Sequence, residues 1–145
     1  FHSPDLDEPI DPLVYLITVA LGFAALENTL FIMGTIQTGD IAQTIITGNM
    51  RFIGATLLHV LASSCVGIML GFVFYRSHIT RFLAGLVGLC AGIALHAYFN
   101  LSIISTSTVG ALKIFGTIWI GVVLLFMAFE EIKGVQPSKS SQQST

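Results

Sequence analysis

The sequence predicts an all-α, polytopic integral membrane protein, folded as a bundle of about four transmembrane helices. Of its 145 residues, 54% are hydrophobic and only 10% are charged, whereas soluble domains carry about 25% charged residues. The charged residues gather at the two ends and in short gaps, with long apolar stretches between them. A soluble fold of this size needs more polar surface, so lipid is expected to surround most of the chain.

Four apolar segments account for the predicted helices. They cover residues 13–36, 52–75, 82–105 and 109–129. At about 1.5 Å per residue, each segment spans a hydrocarbon core of roughly 30 Å. Backbone groups in lipid have to pair within their own segment, so each segment is expected to be a helix. This defines a transmembrane domain of residues 13–129, between an acidic lead-in of residues 1–12 and a polar, mobile tail of residues 130–145.

The connections carry helix-end and topology signals. Asp11 is expected to cap the first helix, with Pro12 in its first turn, and Asn49 is expected to cap the second. Residues 37–50 are then a polar loop. Four of the six Lys and Arg residues fall on the side shared by both termini, which favours termini in the cytoplasm.

Composition also excludes several classes of protein. A net charge of -2 gives no reason to expect a nucleic-acid partner. Cys65 and Cys90 lie inside apolar segments without CxxC spacing, which predicts buried thiols and neither a disulfide nor a cysteine metal site. The HExxH and GxSxG motifs are absent, which excludes a zincin helix and a serine nucleophile elbow.

Three ionisable side chains fall at nearly one depth in the predicted membrane. Glu27, His59 and His96 lie in the first, second and third segments. Counted from the side of the termini, they lie roughly 21, 24 and 21 Å into the bilayer. A charged side chain in a span costs roughly 2.5 to 3.5 kcal/mol on insertion scales, so such residues usually face the bundle interior and serve a function.

Small residues at four-residue spacing continue the helix faces of both histidines. They are Ser63, Gly67 and Gly71 on the second segment, and Gly88 and Gly92 on the third. Such stripes let helix backbones approach closely, so both histidines are expected to point into a helix interface. Asn28 and Asn100 add hydrogen-bonding groups at the same depth.

One carboxylate and two imidazoles can activate water in two ways. His59, His96 and Glu27 can ligate Zn²⁺, with the carboxylate as third ligand or as general base. Without a metal, Glu27 takes the proton from water while a histidine and Asn100 hold the oxyanion. Two alternatives are a non-catalytic membrane subunit of a larger complex and a haem protein with two histidine ligands. The residues alone leave these alternatives open.

Three short motifs resemble the PrsW family of intramembrane proteases, which is related to the CAAX-prenyl endopeptidase and Abi proteins. The motifs are residues 22–28, the run from Arg51 through His59 to Ser63, and residues 96–100, and the likeness covers roughly residues 5–105. It implies a multi-pass protease of a bacterial-type plasma membrane that cleaves membrane-anchored proteins such as anti-sigma factors. It also implies functional roles for Glu27, Asn28, His59, His96 and Asn100.

The chain departs from that family at one point. The leading family motif, a Glu-Glu pair followed by a lysine, belongs upstream of the acidic lead-in and is missing from this sequence. The chain starts with Phe1 and has no basic leader, so it is expected to be a piece of a longer protein. Either the full chain supplies the motif and is an active protease, or this relative has lost catalysis and serves as a subunit.

Overall fold

The computed structural model describes residues 6–37, 39–104 and 108–137, and the regular structure within these ranges is helical. Its helices are α1 (Asp11–Ile36), α2 (Ile41–Phe72), α3 (His78–Ile104) and α4 (Thr108–Lys133). All four are long and apolar enough to cross a membrane. The predicted fold class, a four-helix multi-pass membrane bundle, is confirmed.

The central element of the bundle is α2. It packs against α1, α3 and α4, whereas α1 and α3 have no pair of described Cα atoms within 8 Å of each other. A buried apolar cluster fills the side where α2, α3 and α4 meet, and it consists of Leu58, Leu61, Phe99, Ile114 and Ile118. The contacts of α1 are thus made mainly on a different face of α2 from those of α4.

Glycines make the contacts of α2 unusually close. A Cβ atom built on Gly67 would lie 2.6 Å from the Cα of Leu13 on α1. On α3, a Cβ on Gly92 would lie 2.5 Å from the carbonyl oxygen of Ala62, and one on Gly88 would be equally crowded against α2. The small-residue stripes therefore act as predicted, because they let neighbouring backbones touch.

Two helix starts differ from the sequence-based expectation. The N-cap of α1 is Ile10, without a side-chain cap, so the predicted capping role of Asp11 is wrong. The Asp11 carboxylate instead accepts hydrogen bonds from the backbone N–H groups of Asp7 (3.0 Å) and Glu8 (2.7 Å). It closes the turn that leads into the helix, while Pro12 occupies the first turn as predicted.

The predicted loop of residues 37–50 is also wrong, because α2 begins at Ile41. Gly39 has a φ of 76°, a left-handed conformation that glycine adopts at little cost. It lets the chain turn within the short connection between Ile36 of α1 and Ile41 of α2. Asn49 lies inside the helix and donates to the carbonyl oxygen of Ile45 at 3.0 Å. At the other end of the bundle, α4 continues to Lys133, and residues 138–145 of the predicted tail lie outside the described part.

Candidate active site

The first three helices each deliver one ionisable side chain to a common level. Counted from the helix ends on the side of the termini, Glu27 lies about 24 Å along α1, His59 about 20 Å along α2 and His96 about 27 Å along α3. The antiparallel order of the helices makes these distances comparable. All three groups therefore lie well inside their helices, at similar distances of about 20 to 27 Å from the ends on the side of the termini.

Glu27 and His59 are directly bonded. The Oε2 atom of Glu27 and the Nε2 atom of His59 are 2.9 Å apart. Because a carboxylate only accepts, the His59 Nε2–H donates to Glu27 and orients it. The His59 side chain is 11% exposed and that of Glu27 is 33% exposed, so the histidine is enclosed while the carboxylate can still be reached.

His96 completes the cluster from the other side of His59. The ring centroids of the two histidines are 5.1 Å apart, with their planes tilted by 49°. On the same helix, the Asn100 Nδ2 lies 3.2 Å from the His96 Nδ1. An amide nitrogen donates, so Nδ1 accepts, and the neutral His96 ring carries its proton on Nε2.

Asn28, the residue after Glu27, forms a side-chain hydrogen bond between α1 and α2. It is 8% exposed, and its Nδ2 donates to the Thr56 Oγ1 at 3.1 Å. Its Oδ1 atom is buried and has no hydrogen-bond partner among the described residues. Thr56 precedes His59 by one helical turn, so two adjacent residues of α1 hold two residues one turn apart on α2. This clasp fixes the register of Glu27 against His59.

Two contact residues of the site were not anticipated from the sequence. Thr56 gives no signal, since a lone threonine in an apolar segment usually bonds to its own helix. Phe23 packs its ring edge against His59, with 5.2 Å between ring centroids. Its position one turn before Glu27 is the signal that was available. The side chain of Arg51, part of the family-like motif, lies outside the described part.

The donor types suit a zinc ion, but their arrangement does not. Two imidazoles and one carboxylate are common Zn²⁺ ligands. Among the described residues, however, no three His, Cys, Asp or Glu side chains converge in a way that could hold a metal ion. The His59 Nε2 is engaged by Glu27, and the His96 Nε2 carries the proton. The assignment of Glu27, His59 and His96 as metal ligands therefore stays a prediction.

Comparison with known proteins identifies the family of the chain. The model of a family described as PrsW family intramembrane metalloprotease matches residues 1–129. This stretch contains the whole cluster together with Asn28 and Asn100. No curated protein and no solved structure matches the chain. With most of its length matched by that one family model, the chain belongs to the PrsW family of intramembrane metalloproteases.

Proposed function

We propose that this chain carries the water-activating site of an endopeptidase that cleaves membrane-anchored proteins within the bilayer. The observation that supports this most directly is the 2.9 Å bond between Glu27 and His59, with the His96 ring 5.1 Å from that of His59. Membership of a protease family supports hydrolysis as the reaction. A bacterial-type plasma membrane, with an anti-sigma factor or similar anchored protein as substrate, is the setting we propose.

Glu27 is the general base in this proposal. Its carboxylate takes a proton from water, and the resulting hydroxide adds to the carbonyl carbon of the scissile peptide bond. The His59 Nε2–H holds the carboxylate in place during this transfer. When the tetrahedral intermediate collapses, the C–N bond breaks and Glu27 returns the proton to the leaving amine. The products are a carboxylic acid and an amine, which balances the addition of one water.

His96 stabilises the oxyanion. The Asn100 amide keeps the proton of the ring on Nε2, so that this N–H can donate to the carbonyl oxygen as it gains negative charge. Asn100 is then a positioning residue that acts through His96. Asn28 is likewise a positioning residue, because its bond to Thr56 holds α1 against α2 beside Glu27.

A metal ion requires a rearrangement of this cluster. The family description names a metalloprotease, and Zn²⁺ is the ion that these donors favour; when bound, it supplies a more acidic water and a Lewis acid for the carbonyl. Glu27, His59 and His96 would hold the ion, and coordination through the Nε2 atoms of both histidines would require the proton of each neutral ring to lie on Nδ1. The chelator 1,10-phenanthroline distinguishes the mechanisms: loss of cleavage that added Zn²⁺ restores supports the rearranged, metal-bound cluster.

The experiment compares protein termini in membranes from cells that express the full-length protein, Glu27→Gln or His96→Ala. New termini inside transmembrane segments are expected with the wild type. Glu27→Gln keeps the shape and removes the base, so cleavage should fall by roughly 10² to 10⁴. Removing the His96 donor should cost about 10² to 10³. His78→Ala, an exposed histidine outside the cluster, is the matched control.

Undiminished cleavage by Glu27→Gln, or no new termini with the wild type, would contradict the proposal.

The haem alternative gains no support from the geometry, because an iron with two axial bonds has to fit between the histidine rings. Their centroids are only 5.1 Å apart. The non-catalytic alternative predicts that His96→Ala changes stability or assembly but leaves the set of protein termini in the membrane unchanged.

A further inference from the structure

We propose that the gap between α1 and α3, with α2 at its base, is the groove in which the transmembrane helix of the substrate docks. This inference deepens the proposed function and rests on it, because it assigns the path by which a substrate reaches Glu27. It follows from the spacing of the helices, from the residues that line the gap, and from the depth of the cluster.

The gap has the width of one helix. On α2, α1 packs at Gly67 and α3 packs at Ala62. Five residues at about 100° each leave roughly 140° between these two contacts around the helix. With packed helices about 8 Å apart, α1 and α3 then stand about 15 Å apart, and a third helix laid on α2 between them lies about 9 Å from each. Interaxial distances of 8 to 10 Å are those of ordinary helix packing.

The cluster lies in this same gap. By the same angular count, His59, Ser63 and Leu70 fall on the arc of α2 between its contacts with α1 and α3. Val66 lies at the edge of this arc, where a Cβ on Gly88 of α3 would come within 2.7 Å of its Cα. The fourth helix lies on the opposite arc, where a Cβ on Gly121 would lie 2.9 Å from the Leu61 side chain. The gap is therefore not filled by α4, and it leads to the place where the side chains of Glu27 and His96 meet over the buried His59.

The end of the gap nearest the termini is an apolar cavity. It has a volume of about 240 Å³, and its lining includes Leu6 from the segment before α1, Tyr15 and Leu16 of α1, Val66 and Leu70 of α2, and Arg81 of α3. Leu70 and His59 are about 16 Å apart along α2. A helix lying in the groove therefore makes about three turns of apolar contact before it meets the polar cluster.

The depth of the cluster determines what can occupy the groove. Glu27 and His96 lie more than halfway along α1 and α3, which are both long and apolar enough to cross a membrane, so a peptide bond reaches them only if the polypeptide is itself in the bilayer. An acyl chain carries no group for the His96 N–H or the Glu27 carboxylate, whereas a peptide carries both a carbonyl and an N–H. Lipid can fill the cavity when substrate is absent, and the substrate helix then displaces it.

The geometry also places the scissile bond. His59 lies 13 residues from the end of α2 on the side of the termini, so cleavage is expected about 20 Å into the substrate helix from that side. Carbonyl groups inside a helix are bonded to their own chain. Preferred substrates should therefore carry glycine or proline near this depth, where the helix opens more easily.

A photo-cross-linking experiment tests the groove without hydrolysis. p-Benzoylphenylalanine replaces Tyr15, on the wall of the groove, or Tyr98, on the competing cavity between α2, α3 and α4. The two tyrosines are similarly exposed, at 48% and 59%, which makes them matched positions. Each full-length variant is placed in phosphatidylcholine vesicles with a biotinylated leucine–alanine helix of about 20 residues that has one central Gly-Pro.

The peptide adduct at position 15 should exceed that at position 98 several-fold, and Leu70→Trp, which fills the groove, should abolish the excess. Equal yields, a larger yield at position 98, or an adduct with phospholipid alone at position 15 overturns the inference. The two proposals fail separately. Cleavage in cells without a selective adduct refutes the groove and leaves the protease, whereas a selective adduct without cleavage refutes the protease.

Discussion

The contact between α2 and α3 provides the sharpest test of how packing controls the site. Gly92 precedes His96 by one helical turn, and a Cβ at this position would lie 2.5 Å from the Ala62 carbonyl oxygen. Ordinary van der Waals contacts of a Cβ begin at 3.4 Å. Gly92→Ala therefore has to widen this gap by about 0.9 Å. The obstacle is backbone, so no side chain can rotate away to accommodate the methyl group.

The expected consequences are a loss of stability and a larger loss of activity. Overpacking of a well-packed contact typically costs about 1 to 3 kcal/mol. The displacement also moves the His96 ring away from His59, and a misplacement of about 1 Å can lower a reaction rate roughly 10²-fold. Cleavage should thus fall further than the loss of folded protein explains.

Gly116→Ala on α4 is the matched control, because nothing lies within 4 Å of a Cβ at that position. In a helix interior, alanine is favoured over glycine by roughly 0.5 to 1 kcal/mol, so this variant should be as stable as the wild type or slightly more stable. Unfolding in detergent and mapping of membrane protein termini measure the two effects on both variants. If Gly92→Ala matches Gly116→Ala in stability and in cleavage, the close α2–α3 contact does not position His96.

Three further predictions follow from the polar contacts. Thr56→Val should lower stability by about 1 to 3 kcal/mol, because it leaves the buried amide of Asn28 without its partner; an unchanged unfolding midpoint would argue against the clasp. His59→Leu should also destabilise, because it removes the hydrogen bond that His59 donates to the Glu27 carboxylate. The double change Glu27→Leu with His59→Leu should recover stability and remain inactive; a double variant less stable than either single one would mean that the pair serves packing. Glu130→Gln should change stability by less than about 1 kcal/mol, since its exposed ion pair lies on the surface of α4, and cleavage should be unaffected.

The part of the fold that depends on lipid was predictable from the sequence. Long apolar segments have few alternatives in a bilayer, so the number, order and approximate limits of the helices followed directly. The common depth of Glu27, His59 and His96 also followed, because depth depends only on residue counts along antiparallel helices. The glycine stripes indicated which helix faces meet, and Gly67 and Gly92 make the expected contacts.

Other features depend on pairings that residue spacing does not encode. The early start of α2 was missed because polar residues outside the apolar segment look like a loop, although helices continue into the interface without difficulty. The bond between Asn28 and Thr56 was missed because this partner is set by the rotation of α1 against α2, and the catalytic role of Asn28 stays a prediction. The gap between α1 and α3 could not be predicted from the sequence either, because it arises from the angle between two packing contacts on α2.

The openness of that gap resolves a conflict in the requirements of an intramembrane hydrolase. Polar groups in lipid are stabilised when neighbouring helices enclose them and satisfy their hydrogen bonds, yet a substrate has to reach the same groups. Here the bonded histidine is the enclosed member of the pair, with 11% of its side chain exposed, and the carboxylate beside it keeps 33% exposed. Close glycine contacts hold α1 and α3 on separate faces of α2 rather than against each other. In the proposed hydrolase, the packing that supports the cluster therefore also leaves the carboxylate accessible to a substrate.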